Sequence, residues 1–234
     1  MSEEKVLLIT GASSGIGRAT ARLLASERRL VLAGRRVEPL EELAAELGGP
    51  ERALVVGCDV GEWDQVETMT AATLEAYGRI DEVFANAGFG ATRGFLEESP
   101  EHWKSMVLTN VLGTALTIRS TLPHLLERGS GHFLVTSSIA GRRVLPGSLY
   151  SATKFATTAI GEALRQELRG RDDGRKIKVT LIEPGMVDTD FFDNRPGDSA
   201  LADEDIARAI QYALSQPDGV DVNEILIRPI TQAL

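Results

Sequence analysis

A short apolar run at residues 6–9 leads directly into Thr10-Gly11-Ala12-Ser13-Ser14-Gly15-Ile16-Gly17. Beyond it Ile16, Ala19, Thr20, Leu23 and Leu24 recur at helical spacing as far as residue 27. A buried strand, a glycine-rich turn and a helix, in that order, aim backbone N–H groups and the positive end of a helix dipole at one spot. That arrangement suits a phosphate. Gly15 and Gly17 carry no side chain, so a ligand and the neighbouring strand can come close to the backbone. A tight turn with no ligand is the alternative, and the strand–turn–helix setting favours phosphate.

The alternation then continues along the chain. Strands are expected at residues 30–33, 53–57, 80–85, 132–136, 177–183 and 224–228. Helices are expected at 39–47, closed by Gly48-Gly49-Pro50, and at 63–77, 100–127, 148–168 and 202–215. Residues 191–200 are rich in Asp, Asn, Pro and Gly and read as a mobile loop. The pattern predicts an α/β fold: a doubly wound Rossmann-type domain with a parallel seven-stranded sheet, helices on both faces and right-handed crossovers. No repeat, linker or low-complexity segment interrupts it, so residues 1–234 are expected to form a single domain for both nucleotide binding and catalysis.

Composition excludes several alternatives. The net charge is −9, which disfavours nucleic acid as a partner. One cysteine, Cys58, cannot form an internal disulfide, and with three histidines a metal site is not expected. The apolar run at 6–9 is too short for a signal-peptide core or a membrane span. A cytoplasmic protein with no membrane partner is the expectation.

The second strand ends in Gly34-Arg35-Arg36. In NAD-binding folds an acidic residue commonly stands near this point and accepts hydrogen bonds from the ribose 2′-hydroxyl. Two arginines here suit a 2′-phosphate instead, which favours NADP, with NADPH preferred over NADH.

Tyr150 and Lys154 lie four residues apart in a predicted helix. With about 3.6 residues per turn they share a face. A nearby ammonium favours phenolate, and lowering a tyrosine pKa by about 3 units needs roughly 4 kcal/mol. The pair is therefore a plausible proton donor to a carbonyl. Asn110 sits on the apolar stripe of Trp103, Met106, Val107 and Val111, as either a satisfied core amide or part of a site.

Taken together, Thr10–Gly17, Asp59, Asn86-Ala87-Gly88, Asn110, Ser138, Tyr150, Lys154 and Pro184-Gly185 resemble the short-chain dehydrogenase/reductase family, in its compact single-domain branch. The resemblance implies that Tyr150 is the general acid/base and that Lys154 lowers its pKa and binds the nicotinamide ribose. It implies that Ser138 polarises the substrate carbonyl and that Asn110 holds a water linking Lys154 to solvent. Gly11, Ser13, Ser14, Gly15, Ile16 and Gly17 would hold the pyrophosphate, with Arg35 and Arg36 at the 2′-phosphate. Asp59 and Val60 would take the adenine, Asn86, Ala87 and Gly88 the adenosine side, and Pro184, Gly185, Val187 and Thr189 the carboxamide. Counting back from Tyr150 favours Ser137 over Ser138, but the following Ile139-Ala140-Gly141 favours Ser138. Two features depart from the family. Ala85 replaces the first of two asparagines, so an amide contact to the central sheet is expected to be missing, and the loop before Tyr150 is one residue shorter.

The segments at 184–191 and 222–229 look like small NADP-dependent dehydrogenases of 3-hydroxy acids and serine-like substrates. A small alcohol/carbonyl substrate is therefore expected, with Phe89, Thr92, Arg93, Arg142, Arg143, Leu145, Met186, Phe191, Phe192 and Arg195 as pocket candidates. A homo-oligomer, as a tetramer, is implied. Two competing readings are a 3-oxoacyl-[acyl-carrier-protein] reductase, docking through Arg142 and Arg143, and a non-catalytic NADP-binding regulator.

Overall fold

The computed structural model describes residues 4–90, 94–145, 149–189 and 200–232. The predicted loop at 191–200 and the pocket candidates Thr92, Arg93, Phe191, Phe192 and Arg195 therefore lie outside the described residues, Ala200 excepted. The strands are β1 (Lys5–Thr10), β2 (Arg28–Gly34), β3 (Ala53–Gly57), β4 (Glu82–Ala85), β5 (Gly131–Thr136), β6 (Ile177–Pro184) and β7 (Glu224–Ile227). Every pairing is parallel, and the strand order is β3-β2-β1-β4-β5-β6-β7. The α-helices are α1 (Gly15–Leu24), α2 (Glu38–Glu46), α3 (Trp63–Tyr77), α4 (Pro100–Met106), α5 (Thr114–Arg128), α6 (Tyr150–Gly170) and α7 (Asp203–Ser215).

Successive strand residues point to opposite faces, and here both faces are covered. Leu8, Val31, Val83, Phe133, Val135 and Leu181 pack beneath α3, α5 and α6. Leu7, Ile9, Leu30, Phe84, Leu134 and Ile182 pack beneath α1, α2 and α7. This explains why the strands read as unbroken apolar runs. The chain passes from β1 to β2 on one side and returns as β4 on the other. The switch point therefore lies between the carboxyl ends of β1 and β4, where a ligand crevice opens.

Some boundaries differ from the sequence pattern. Strand β4 starts two residues later than the apolar run. The Ile80 N–H donates to His124 Nε2 (3.2 Å), and the Asp81 carboxylate accepts from the Val6 N–H (2.9 Å). Helix α1 ends at Leu24 and not at 27, so that Arg28 can enter β2. The expected helix over 100–127 is continuous, but Val107–Gly113 is wound as a π-helix. Gly113 belongs to this wide turn because a Cβ there would come within 2.4 Å of Val60 Cγ2.

Candidate active site

The glycine turn fills the crevice at the carboxyl end of β1. Gly11 has φ +67°, and a Cβ on it would lie 2.8 Å from Ala87 Cα. A Cβ on Gly17 would sit 2.4 Å from the Gly11 carbonyl oxygen. Gly15, at φ +50°, faces Thr189, whose Cγ2 is 3.1 Å from where a Cβ would be. The turn is thus walled by Asn86–Ala87 on one side and by the segment after β6 on the other. Ile16 packs, partly buried, against the core face under α1.

Asn86 corrects one expectation. The amide contact to the central sheet is present, because Asn86 makes it alone. Its Nδ2 donates to the carbonyls of Thr10 (3.1 Å) and Gly11 (3.3 Å), and its Oδ1 accepts from Thr136 Oγ1 (3.0 Å). The N–H groups of Asn86 and Ala87 both donate to Thr10 Oγ1. Ala85 simply packs in the core.

At the far end of the crevice, Arg36 Nη2 donates to Ser13 Oγ (3.2 Å) and Ser14 Oγ (3.4 Å). Arg35 lies 3.9 Å from Asp59 Oδ2, while Asp59 Oδ1 accepts from the Gly61 N–H. Val60 is buried against Gly113. Gly88 lies beside Asn110, whose Oδ1 is 3.1 Å from the site of a Cβ.

Ser138, Tyr150 and Lys154 converge at the carboxyl ends of β5 and β6. Ser138 heads a 3₁₀ turn, Ile139–Gly141, and its Oγ accepts from the Ala140 N–H (3.1 Å). Its single proton lies towards the Pro184 carbonyl (3.4 Å), with the Tyr150 phenol as the competing acceptor. Ser137 faces the other way. Its Oγ donates to the Lys154 carbonyl (3.1 Å) and lies 2.6 Å from Thr158 Oγ1.

Lys154 Nζ donates to the Thr136 carbonyl (2.9 Å) and stands 5.8 Å from the centre of the Tyr150 ring. Thr136 therefore joins Asn86, through its hydroxyl, to Lys154, through its carbonyl. Asn110 is 1% exposed, and both hydrogens of its amide nitrogen are donated. Nδ2 donates to the Phe89 carbonyl and to Thr153 Oγ1, and Oδ1 accepts from the Phe89 N–H. Its Oδ1 keeps one acceptor site beyond the Phe89 N–H. Its backbone carbonyl, in the π-helix, accepts from Thr114 Oγ1 and Thr157 Oγ1.

Burial sets the proton affinity of both Tyr150 and Lys154. Burial pushes the Tyr150 phenol up to about 12, and the Ser138 hydrogen bond pulls the other way. Burial pushes the Lys154 ammonium down to about 8. Removing water disfavours the charged form of both groups, and the ammonium is bonded to the Thr136 carbonyl.

The family model for short chain dehydrogenases matches residues 5–199. The chain belongs to the short-chain dehydrogenase/reductase family. It is 38% identical over 236 aligned positions to an uncharacterized oxidoreductase of Staphylococcus epidermidis, covering 97% of this chain and 98% of that one. An alcohol dehydrogenase from Thermococcus sibiricus, complexed with 5-hydroxy-NADP, superposes with a TM-score of 0.88 at 35% identity, covering 99% of both chains. A serine dehydrogenase complexed with NADP⁺ gives 0.90 at 30%, covering 98% of this chain and 96% of that one. A 3-ketoacyl-(acyl-carrier-protein) reductase from Brucella melitensis, complexed with NADH, gives 0.86 at 29%, covering 96% and 97%. The chain is thus an oxidoreductase of this family.

Within this family site, the turn after β6 is fixed from the C-terminal segment. The Gly185 N–H donates to the Ile227 carbonyl (2.7 Å), and the Met186 N–H to Gln232 Oε1 (2.9 Å). Val187 pairs with Leu201. Phe89 packs edge-on against His102, and the Leu145 N–H donates to Ser151 Oγ (3.1 Å). Arg143 is exposed, but Arg142 is tied to Glu183 (2.7 Å) and Glu224, so it is not a free pocket cation. Sequence reasoning missed Thr136, Thr153, Glu183 and Gln232. Thr153 alone had a local signal, since it sits three residues after Tyr150 and donates to the Tyr150 carbonyl (2.7 Å).

Proposed function

We propose that this chain is an NADP(H)-dependent oxidoreductase of small alcohol and carbonyl substrates, with Tyr150 as its general acid/base. The observation that carries the reading is Ser138, Tyr150 and the buried Lys154 gathered at the ends of β5 and β6, in a fold whose glycine turn after β1 leaves no room for side chains. That turn fits a dinucleotide. Gly11, Ser13, Ser14, Gly15, Ile16 and Gly17 would hold the pyrophosphate, and Arg35 and Arg36 the 2′-phosphate. Asp59, Val60, Asn86, Ala87 and Gly88 would flank the adenosine. Tyr150 and Lys154 would hold the ribose, and Pro184, Gly185, Val187 and Thr189 the carboxamide. When bound, the nicotinamide supplies or accepts the hydride.

The chain supplies the proton. Ser138 donates to the substrate carbonyl oxygen in place of its present bond to Pro184, and Tyr150 gives that oxygen its proton or takes it away. Bringing the phenol from about 12 to near 8 takes about 5 kcal/mol. Lys154 has two N–H donors left after Thr136, and its positive charge supplies part of that energy. Asn110 would hold a water linking Lys154 to solvent, and its amide ties the Phe89 loop to Thr153.

The substrate class that fits is a 3-hydroxy acid or a serine-like compound. The support is the likeness to a serine dehydrogenase over nearly the whole chain. A single cytoplasmic domain that assembles as a tetramer completes the proposal. The acyl-carrier reading loses its basic patch, since Arg142 is held by two carboxylates. The test is turnover of a panel of 3-hydroxy acids, serine, alcohols and ketones with both cofactors, for the native protein and Tyr150→Phe. The variant is expected to keep cofactor affinity and lose activity by roughly 10²–10⁴-fold. More than about a tenth of the activity remaining would remove Tyr150 from the reaction. No turnover by the native protein would favour the regulator.

A further inference from the structure

Glu183 is 1% exposed and lies one residue before the Pro184 carbonyl that accepts from Ser138. Its carboxylate is held by Arg142 Nε at 2.7 Å, and the other arm of the same guanidinium reaches Glu224 on β7. Arg142 directly follows the 3₁₀ turn that starts at Ser138, and its own N–H closes that turn on the Ile139 carbonyl (3.0 Å). The serine segment and the end of β6 are therefore joined at three places. The Ser137 N–H donates to the Ile182 carbonyl (2.8 Å) just before the turn, Ser138 makes the long bond to Pro184, and just after the turn Arg142 makes the charged bond to Glu183, which is shorter and stronger than that of Ser138.

We propose that Arg142 is a positioning residue, which with Glu183 and Glu224 clamps the serine turn to β6 and β7 and so holds the Ser138 hydroxyl on Tyr150. This rests on the acid/base reading of Tyr150. Without the clamp, the far side of the turn loses its charged tie to β6, and the backbone bond of Ser137 to Ile182 and the 3.4 Å bond of Ser138 to Pro184 remain on the near side. The Ser138 hydroxyl then drifts from the phenol. Ser138 reaches Tyr150 from the turn, and Lys154 on the same helix stands 5.8 Å from the centre of its ring. Loosening the first leaves burial less opposed.

A fold-supporting salt bridge would change melting temperature and not the phenol. The experiment therefore reads the phenol directly, with no substrate. The protein is labelled at the tyrosine ζ carbon and titrated by NMR with saturating NADP⁺. The resonance of Tyr150 is assigned by its absence in Tyr150→Phe, and Tyr77 and Tyr212 are internal controls. Removing both charges in Arg142→Met/Glu183→Gln avoids a lone buried carboxylate. Its Tyr150 midpoint is expected to rise by about half a unit to one unit, the equivalent of one hydrogen bond, with the control tyrosines unmoved. Arg142→Lys should restore most of the shift. Glu224→Gln, at the exposed end of the fork, keeps the fold and should shift the midpoint the same way by less. Midpoints equal to the native value in both the double variant and Glu224→Gln overturn the proposal. If the double variant does not fold, an unshifted midpoint in Glu224→Gln is enough to overturn it. A native Tyr150 resonance that does not titrate below pH 11 would instead remove the acid/base reading beneath it.

Discussion

Replacing Arg36 by alanine tests the origin of the cofactor preference. Among the described residues Arg36 donates only to two neutral hydroxyls, Ser13 Oγ and Ser14 Oγ, and no carboxylate there is bonded to it, so its charge is aimed at the glycine turn. Arg35 lies 3.9 Å from Asp59, and at that separation in water an ion pair is worth about 1 kcal/mol. A phosphate that recruits Arg35 must offset that pairing, whereas one that recruits Arg36 exchanges weak partners for a charged one. A hydrogen bond to a charged group contributes about 1.5–3 kcal/mol, which is about ten- to hundredfold in affinity. Arg36→Ala should therefore weaken NADPH by about that factor and leave NADH unchanged. Arg35→Asn with Asp59→Asn removes a pair with no change in net charge, and should alter the NADPH/NADH ratio by less than about fivefold. Fluorescence titration with both reduced cofactors measures the ratio, and added salt should shrink it. A native ratio near one, or a ratio unmoved by Arg36→Ala, would refute the reasoning.

Ser138→Ala should cut kcat far more than Ser137→Ala. Ser137→Ala loses bonds to the Lys154 carbonyl and Thr158 and should lower unfolding free energy by about 1–3 kcal/mol, read by urea denaturation. The reverse ranking in kcat would move the carbonyl contact to Ser137. His132 is buried beside Lys178, Lys5 and Arg28, and burial first, then those cations, hold its imidazole down at about 3. A base with a depressed folded pKa binds fewer protons when folded, so its contribution is intact above about 6.5 and is lost as pH falls from there towards 3. His132→Gln should flatten the native loss of stability between these limits, and an unchanged slope in denaturant titrations would exclude His132 as the cause. Ala152, Phe155, Ala159 and Ala163 form an exposed small and apolar stripe on α6, with Phe155 41% exposed. Light scattering should give a multiple of 25.2 kDa for the native protein and a smaller mass for Phe155→Glu, while a native monomer would leave the stripe unexplained.

The parts of the site that could be read from sequence are those whose partners are near in the chain. Tyr150 and Lys154 share one helix, and the glycine turn follows its own strand, so spacing alone places them. The sheet is legible for a related reason: strands buried on both faces need continuous apolar runs, and those runs mark β1 to β6. The π-helix at Val107–Gly113 is not legible, because seven residues of a wider turn keep an apolar stripe much like an α-helix. Asn86 misleads because its bonds go to Thr10, Gly11 and Thr136, across β1 and β5, so counting asparagines says nothing of whether one amide reaches both.

Tyr150 shows the same division within one residue. Its position follows from helix geometry, which is local, but its proton affinity follows from desolvation by everything packed around it. A lysine four residues away brings charge close, yet the backbone carbonyl of Thr136 competes for that ammonium. The carbonyl belongs to β5, and β5 stands where it does because β4 and β6 pair on either side of it. The chemistry of this tyrosine is therefore set by sheet order as much as by its own helix, and a sequence motif carries only the second.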